Sequence, residues 1–259
     1  MSDVLRIIGC RAGSPVQGSP ASGYLLRTSK GNILIDCGSG VLVNMLDRDF
    51  DNLIGVVVTH CHADHCLDLM ALAYRQVFPV LSRKLPLYGP PSLLHIIQSY
   101  DKLFGIPSLP TMGKPITTAF DFHPVVPGEQ FTVGGFWSFD TLRMIHPVET
   151  MAIRSIEFSF VFTADGAYTQ ALQDFCTGSR FILSEATYPD EVGHNILEHG
   201  HMAASQCAAL AQKAGARLLV VTHLSDPADN AVTMETIGRS FTGEARLAQP
   251  GLEIECFPQ

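Results

Sequence analysis

The stretch Thr59-His60-Cys61-His62-Ala63-Asp64-His65 constrains this chain more than any other. It closes Leu53 to Thr59, an apolar run rich in β-branched residues that predicts a strand buried on both faces. Four metal-capable side chains, His60, His62, Asp64 and His65, fall within six residues at a predicted strand-to-helix junction. Such a turn can aim His60 and His62 one way and Asp64 and His65 another, toward two adjacent cations. Imidazole and carboxylate donors suit zinc, with manganese or iron as alternatives. The competing reading is a polar loop with chance histidines, which must place three of the chain's ten histidines in six positions. Cys61 and Cys66 flank the motif as further conceivable ligands, but harder donors already complete the set.

A pair of cations needs more ligands, and the ends of predicted strands offer them. His146 follows Thr141 to Ile145, Asp165 follows Phe158 to Thr163 ahead of a predicted helix, and His223 follows Leu218 to Thr222. This is where α/β folds place their sites. Each residue alone reads equally well as an ordinary polar strand end. Together with the first cluster they form a ligand set.

The remaining pattern predicts strands at Val4 to Ile8, Tyr24 to Arg27 and Ile33 to Asp36, then helices at Ala63 to Val77 and Pro91 to Phe104. A strand-rich middle follows: Gln130 to Val133, Trp137 to Ile145, Ala152 to Glu157 and Phe158 to Thr163. After it come a strand at Arg180 to Ser184 and a helix at Ala203 to Ala214. Alternation at both ends around a strand-rich middle predicts an α/β architecture of two packed sheets covered by helices. With no linker, low-complexity tract or repeat, one domain over residues 1–259 is expected.

His-x-His-x-Asp-His followed by a third His, an Asp and a final His resembles the signature of the metallo-β-lactamase superfamily, over essentially the whole chain. The resemblance implies an αββα four-layer sandwich of two mixed sheets flanked by helices. It implies that His60, His62 and His146 hold one divalent metal ion, that Asp64, His65 and His223 hold the other, and that Asp165 bridges them. Asp36, in Asp36-Cys37-Gly38, matches the element that buttresses such sites by hydrogen bonding.

The branch narrows further. His62 stands where the iron-dependent oxygen-reducing members have Glu, and Asp165 where the lactamases proper usually have Cys. Ile145-His146-Pro147-Val148 differs from the Pro-Gly-His-Thr of glyoxalase II-like thioesterases. Gly200-His201-Met202-Ala203, Val221-Thr222-His223, Ser184-Glu185-Ala186-Thr187 and Tyr88-Gly89-Pro90 are similar to segments of ribonuclease Z and related phosphodiesterases. Met202 departs from the usual Ser or Thr, and Ala164-Asp165-Gly166 from Gly-Asp-Thr. The tRNA-gripping arm of ribonuclease Z lies between the third His and the bridging Asp; here 165 − 146 = 19 residues leave no room for it. The cysteine-rich zinc site of some phosphoribosyl cyclic-phosphate phosphodiesterases is also missing.

Metals in such a site acidify a bridging water and polarise phosphoryl oxygens. The expected activity is therefore hydrolysis of phosphodiesters, with Asp64 orienting the nucleophile. His201 would act as acid for the leaving oxygen or as donor to the phosphoryl group. The same metals would serve a sulfatase, a thioesterase or a lactonase; a non-enzymatic scaffold would have lost ligands, and none is missing. His95, His123, His194 and His199 are read as structural or surface residues, and the loop Ser14 to Ser22 as a pocket wall.

Composition decides between substrates. The net charge is −8 with no basic run, which argues against large structured RNA or DNA and leaves small anionic phosphodiesters such as cyclic nucleotides. Hydrophobic residues make up 46% and charged residues 16%, enough for a large core, yet no stretch of eighteen uncharged apolar residues exists to span a membrane. The seven cysteines form no C-x-x-C and are expected reduced. A start without signal-peptide features, Met1-Ser2-Asp3-Val4-Leu5, gives a cytoplasmic location by default. A homodimer is implied only by analogy with the relatives.

Overall fold

The computed structural model describes residues 3–81, 83–190 and 196–256. His194 and the first two residues lie outside them. The first sheet is built from β1 (Val4–Gly9), β2 (Gly23–Thr28), β3 (Gly31–Ile35), β4 (Leu53–Val57), β5 (Leu85–Gly89) and β6 (Phe120–Pro124). The second comprises β7 (Gln130–Val133), β8 (Trp137–Arg143), β9 (Met151–Ser155), β10 (Phe160–Phe162), β11 (Phe181–Glu185), β12 (Leu218–Thr222) and β13 (Glu244–Leu247). The last strand, β14 (Glu253–Glu255), returns to the first sheet beside β1. Strand orders are β14-β1-β2-β3-β4-β5-β6 and β13-β12-β11-β10-β9-β8-β7. Both sheets are mixed, with parallel pairing from β3 through β6 and from β10 through β13.

Three apolar clusters define four layers. Tyr24, Leu26, Ile33 and Val57 meet Phe139, Phe160, Phe162 and Val220 between the sheets. The outer face of the first sheet (Leu25, Leu34, Val56) packs on Leu69, Leu72 and Leu93 of the helices Leu69–Val77 and Leu93–Phe104. The outer face of the second (Val161, Ile182, Leu219, Val221) packs on Cys207, Leu210 and Ala211 of the helix Ala204–Ala214. Successive residues of a strand thus face different cores, and with both faces buried the central strands read as continuous apolar runs.

The expected helix Ala63 to Val77 is two helices, Ala63–Cys66 and Leu69–Val77. The break is a competition for hydrogen bonds. The Asp64 carbonyl accepts from Ser22 N (3.1 Å), so Asp68 N turns to Cys37 O (3.0 Å). Gly38 makes this approach possible, since a Cβ there would lie 1.8 Å from Asp64 O. The expected strands Trp137 to Ile145, Ala152 to Glu157 and Phe158 to Thr163 are shorter, because their last residues leave the ladder to form the site and its turns. β5, β6, β13, β14 and the helix Asn230–Gly238 were not anticipated. All seven cysteines are free, and no helix among the described residues is long and apolar enough to cross a membrane.

Candidate metal centre

Parallel strands aim their C-terminal ends at one edge of each sheet, and the two edges meet. Asp36 follows β3 directly, His60 lies three residues past β4, His146 three past β8, Asp165 three past β10, and His223 directly follows β12. Glu185 is the last residue of β11. Asp36, Ala164 and His223 have positive φ (58°, 52° and 56°), a backbone region that residues with a Cβ rarely enter. Strain of this kind at three points around one cluster is what a functional site concentrates.

The structure brings all seven expected ligands together. Donor atoms of His60, His62, His146 and Asp165 lie within 4.8 Å of one another, as do those of Asp64, His65 and His223. Asp165 Oδ2 reaches both groups, at 3.6 Å from His60 Nε2, 3.4 Å from His65 Nε2 and 3.2 Å from His223 Nε2. Cys61 and Cys66 stay out of the cluster: Cys66 Sγ donates to His62 O, and Cys61 Sγ faces Ser92 Oγ.

The surroundings of four of the five histidine rings assign their tautomers. His65 Nδ1 donates to Asp36 Oδ2 (2.8 Å), and His146 Nδ1 to Gly200 O (2.7 Å). Thr59 Oγ1 donates to Asp36 and so can accept from His60 Nδ1 (3.2 Å). Thr187 Oγ1 donates to Glu185 Oε2 (2.6 Å) and can accept from His223 Nδ1 (3.0 Å). Four Nε2 lone pairs therefore turn inward. His146 Nε2 sits 3.1 Å from His62 Nδ1, and His65 Nε2 3.4 Å from His223 Nε2. Lone pairs this close repel unless a proton or a cation lies between them. His60 Nε2 and Asp165 Oδ1 are buried without a hydrogen-bond partner. Divalent cations fit this donor set in kind and in position.

The electrostatics agree. Burial alone would raise the Asp165 carboxyl pKa, but the charges of His223, His65 and His60 hold it well below the usual range. Burial would lower His65, yet Asp165 and Asp36 raise it well above an ordinary histidine. His60, with burial dominant, is lowered. The metal-free site thus favours a proton on His65 beside an ionised Asp165, in the space that a metal would claim.

His201 stacks on His223, with ring centroids 5.6 Å apart, and its Nδ1 donates to buried Glu185 (3.1 and 3.2 Å). Burial pulls its pKa down, but Glu185, Asp165 and Asp64 together raise it to about 9. A His201 nitrogen also lies within 4.8 Å of donors on Asp165 and His223, so distance alone would admit it as a ligand. The Glu185 pairing favours a proton-holding role, because a carboxylate on Nδ1 stabilises the imidazolium.

Three groups escaped the sequence reading. Glu185 accepts from Gly166 N, Thr187 and His201 and organises that side of the site. It shows the same signal that marked Asp165 and His223, a polar residue at the end of an apolar run. Gly13, one residue before the predicted pocket loop, donates its N–H to Asp64 Oδ2 (2.6 Å) and supports that carboxylate. Gly200, at φ 68°, supplies the carbonyl that orients His146, and a Cβ there would lie 2.7 Å from His146 Cα. Backbone contacts of this kind have no sequence signal. Among the remaining histidines, His123 is half exposed beside Asp121, and His199 Nδ1 meets Tyr188 Oη at 2.8 Å.

Two sheets, helices on both outer faces and a His/Asp cluster at the strand ends define the class. Residues 31–224 match the Beta-lactamase superfamily domain, and the chain belongs to this superfamily of metallo-hydrolases. It is 30% identical over 257 residues to "Probable metallo-hydrolase YhfI" of Bacillus subtilis, covering 96% of this chain and 98% of that one. The crystal structure of YhfI superposes with a TM-score of 0.84 at 26% identity, over 98% of this chain and 100% of that chain. Human tRNase Z, short form, gives 0.76 at 20% identity, over 98% and 99% of the two chains. A diphosphatase from the PhnP family gives 0.74 at 19%, over 99% and 98%. These last two show the fold alone.

Proposed function

We propose that the protein hydrolyses phosphodiester bonds, and that small cyclic phosphodiesters such as cyclic nucleotides are preferred over precursor tRNA. His60, His62 and His146 would hold one divalent cation and Asp64, His65 and His223 another, zinc being the first expectation, with Asp165 between them. When bound, such cations acidify water and polarise the phosphoryl group.

The observation that carries the reading is His201, placed beside His223 with its Nδ1 fixed by Glu185. Its Nε2 remains to donate, either to the oxygen that leaves as the P–O bond breaks or to a phosphoryl oxygen. An alkoxide leaves poorly without a proton, so a held imidazolium suits alkyl phosphodiesters. Asp64, fixed by Gly13 N, would orient the attacking water. The likeness to tRNase Z and to the diphosphatase adds support at the level of fold.

Preference for a small substrate rests on charge and length. The interval from His146 to Asp165 is taken up by β9, β10 and their turns. Arg143, three residues before His146, is paired with Glu149 (3.1 Å), and Arg11 is buried and donates to Ser225 O. The Glu149 carboxylate offsets the charge of Arg143, and burial keeps Arg11 from the phosphates of a long RNA. The test is a side-by-side assay of 3′,5′- and 2′,3′-cyclic nucleotides, an aryl phosphodiester, an aryl sulfate, a thioester, a lactone and tRNA with a 3′ trailer. Turnover of the phosphodiesters is expected. Trailer removal at physiological salt with cyclic nucleotides untouched overturns the substrate reading, and turnover confined to the sulfate, thioester or lactone overturns the reaction.

A further inference from the structure

A cleft of about 950 Å³ opens at the end of the first sheet opposite the histidine cluster. The end of β2, the β2–β3 turn, the starts of β3 and β4, and Arg83 ahead of β5 form its walls. β3 alone, from Gly31 to Asp36, separates it from the metal cluster by roughly 16 Å at strand rise. Small-molecule sites span about 300–1,000 Å³, so the cleft has room for a ligand of nucleotide size.

Its charge runs against that of the chain. Arg27, Lys30, Arg48 and Arg83 line it against Asp49 and Asp51, four positive groups to two negative, in a protein of net charge −8. Asp49 is already committed: it is buried, holds Arg6 Nη1 at 2.9 Å and Arg27 Nε at 3.2 Å, and accepts from Leu46 N. Arg27 also meets Glu253 at 2.8 Å. The other three cations face no carboxylate: their contacts are a backbone carbonyl, aromatic rings or solvent. The Lys30 ammonium lies 4.3 Å from the Phe136 ring centroid and 5.4 Å from that of Trp137, Arg83 donates to Leu53 O, and Arg48 is exposed.

We propose that this cleft, where Lys30, Arg48 and Arg83 share a cavity with little opposing charge, binds a diphosphate group, free or carried by a nucleotide. Guanidinium groups match phosphate oxygens in pairs, and low-dielectric walls focus their field into the concavity. A diphosphate presents two linked sets of acceptor oxygens that can reach cations on separate walls; a lone carboxylate cannot. Ile54 supplies apolar surface in the cleft wall for a base. The site is independent of the reaction proposed at the metals.

Trp137 makes the proposal testable at the site itself. It is the only tryptophan, stands beside Lys30, and lies nine residues before His146 along the chain. The metal-loaded protein is titrated with pyrophosphate, ADP, adenosine and, at matched ionic strength, sodium chloride, reading tryptophan emission. A saturable change with pyrophosphate or ADP is expected, and none with adenosine or chloride. The exposed pair Arg48→Glu/Arg83→Glu should keep its circular dichroism and its phosphodiesterase turnover while apparent affinity falls by about tenfold or more. A response to ADP alone identifies a nucleotide diphosphate, and a response to both the diphosphate group itself. No saturable response, an equal response to adenosine, or an undiminished response in the double variant overturns the proposal.

Discussion

Asp36 Oδ2 and His65 Nδ1 lie 2.8 Å apart with both side chains fully buried, and this bond decides which nitrogen of His65 faces the other ligands. The other Asp36 oxygen, Oδ1, accepts from Thr59 N (2.8 Å), so one carboxylate ties β3 to the start of the histidine motif. Asp36→Asn should therefore leave the fold intact while weakening metal binding by about 10–100-fold, the usual cost of losing such a supporting partner. Asn tolerates the φ of 58° at this position, so backbone strain does not confound the result. Competition with a chromophoric chelator measures the change; unaltered affinity would show that the bond does not orient His65.

Asp165→Ala should disturb both donor groups at once. Its Oδ2 lies within 3.6 Å of nitrogens from His60, His65 and His223, whereas Asp64 Oδ2 duplicates only the contacts to His65 and His223. Elemental analysis should give about two metals per wild-type chain, more than one tetrahedral ion can use from these ligands, and a loss at both positions in the variant. A single tight metal that survives the substitution would refute the binuclear reading.

His201→Ala should retain the metals and lose activity on poor leaving groups by roughly 10²–10⁴-fold, with a smaller loss on a nitrophenyl diester that needs little protonation. Glu185→Gln should reproduce this leaving-group pattern more weakly, because Glu185 acts through the His201 ring. Equal losses on both substrate types would point to phosphate positioning, and loss of metal would make His201 a ligand.

Metal uptake should release protons and strengthen with pH. In the metal-free protein, burial lowers His65, but Asp165 and Asp36 raise its pKa well above an ordinary histidine, so the incoming cation displaces a proton. The sign for stability follows. A raised His65 stabilises the metal-free fold fully below its unfolded value, and that contribution is lost as pH climbs through the folded value. A depressed Asp165 stabilises above its unfolded value and loses this as pH falls. The chelated protein should thus gain most from this pair between roughly pH 4 and 6.5. Melting curves across pH, with and without metal, test it; metal affinity independent of pH would contradict displacement of the His65 proton.

The candidate metal cluster was legible in the sequence because its residues sit at, or in the turn just past, the point where an apolar strand stops. His60 follows the run ending at Val58, Asp165 the run ending at Phe162, and His223 the run ending at Val221. A strand buried on both faces cannot hold an ion inside its ladder, so its chemistry moves to the ends, and that displacement is visible one residue at a time. The alternation of strands and helices was legible in part through the spacing of apolar residues, though β5, β6, β13, β14 and the helix Asn230–Gly238 gave no such signal. Only the tertiary structure decided the rest. The break at Asp68 arises because Cys37 and Ser22 compete for helix hydrogen bonds, and the orientation of His146 depends on a carbonyl at Gly200, 54 residues away. Glu185 joins His201 and His223 only because β11 and β12 pair in parallel, Glu185 opposite Thr222. Long-range backbone partners are set by how the sheets close, and a backbone group carries no residue-specific mark in the sequence.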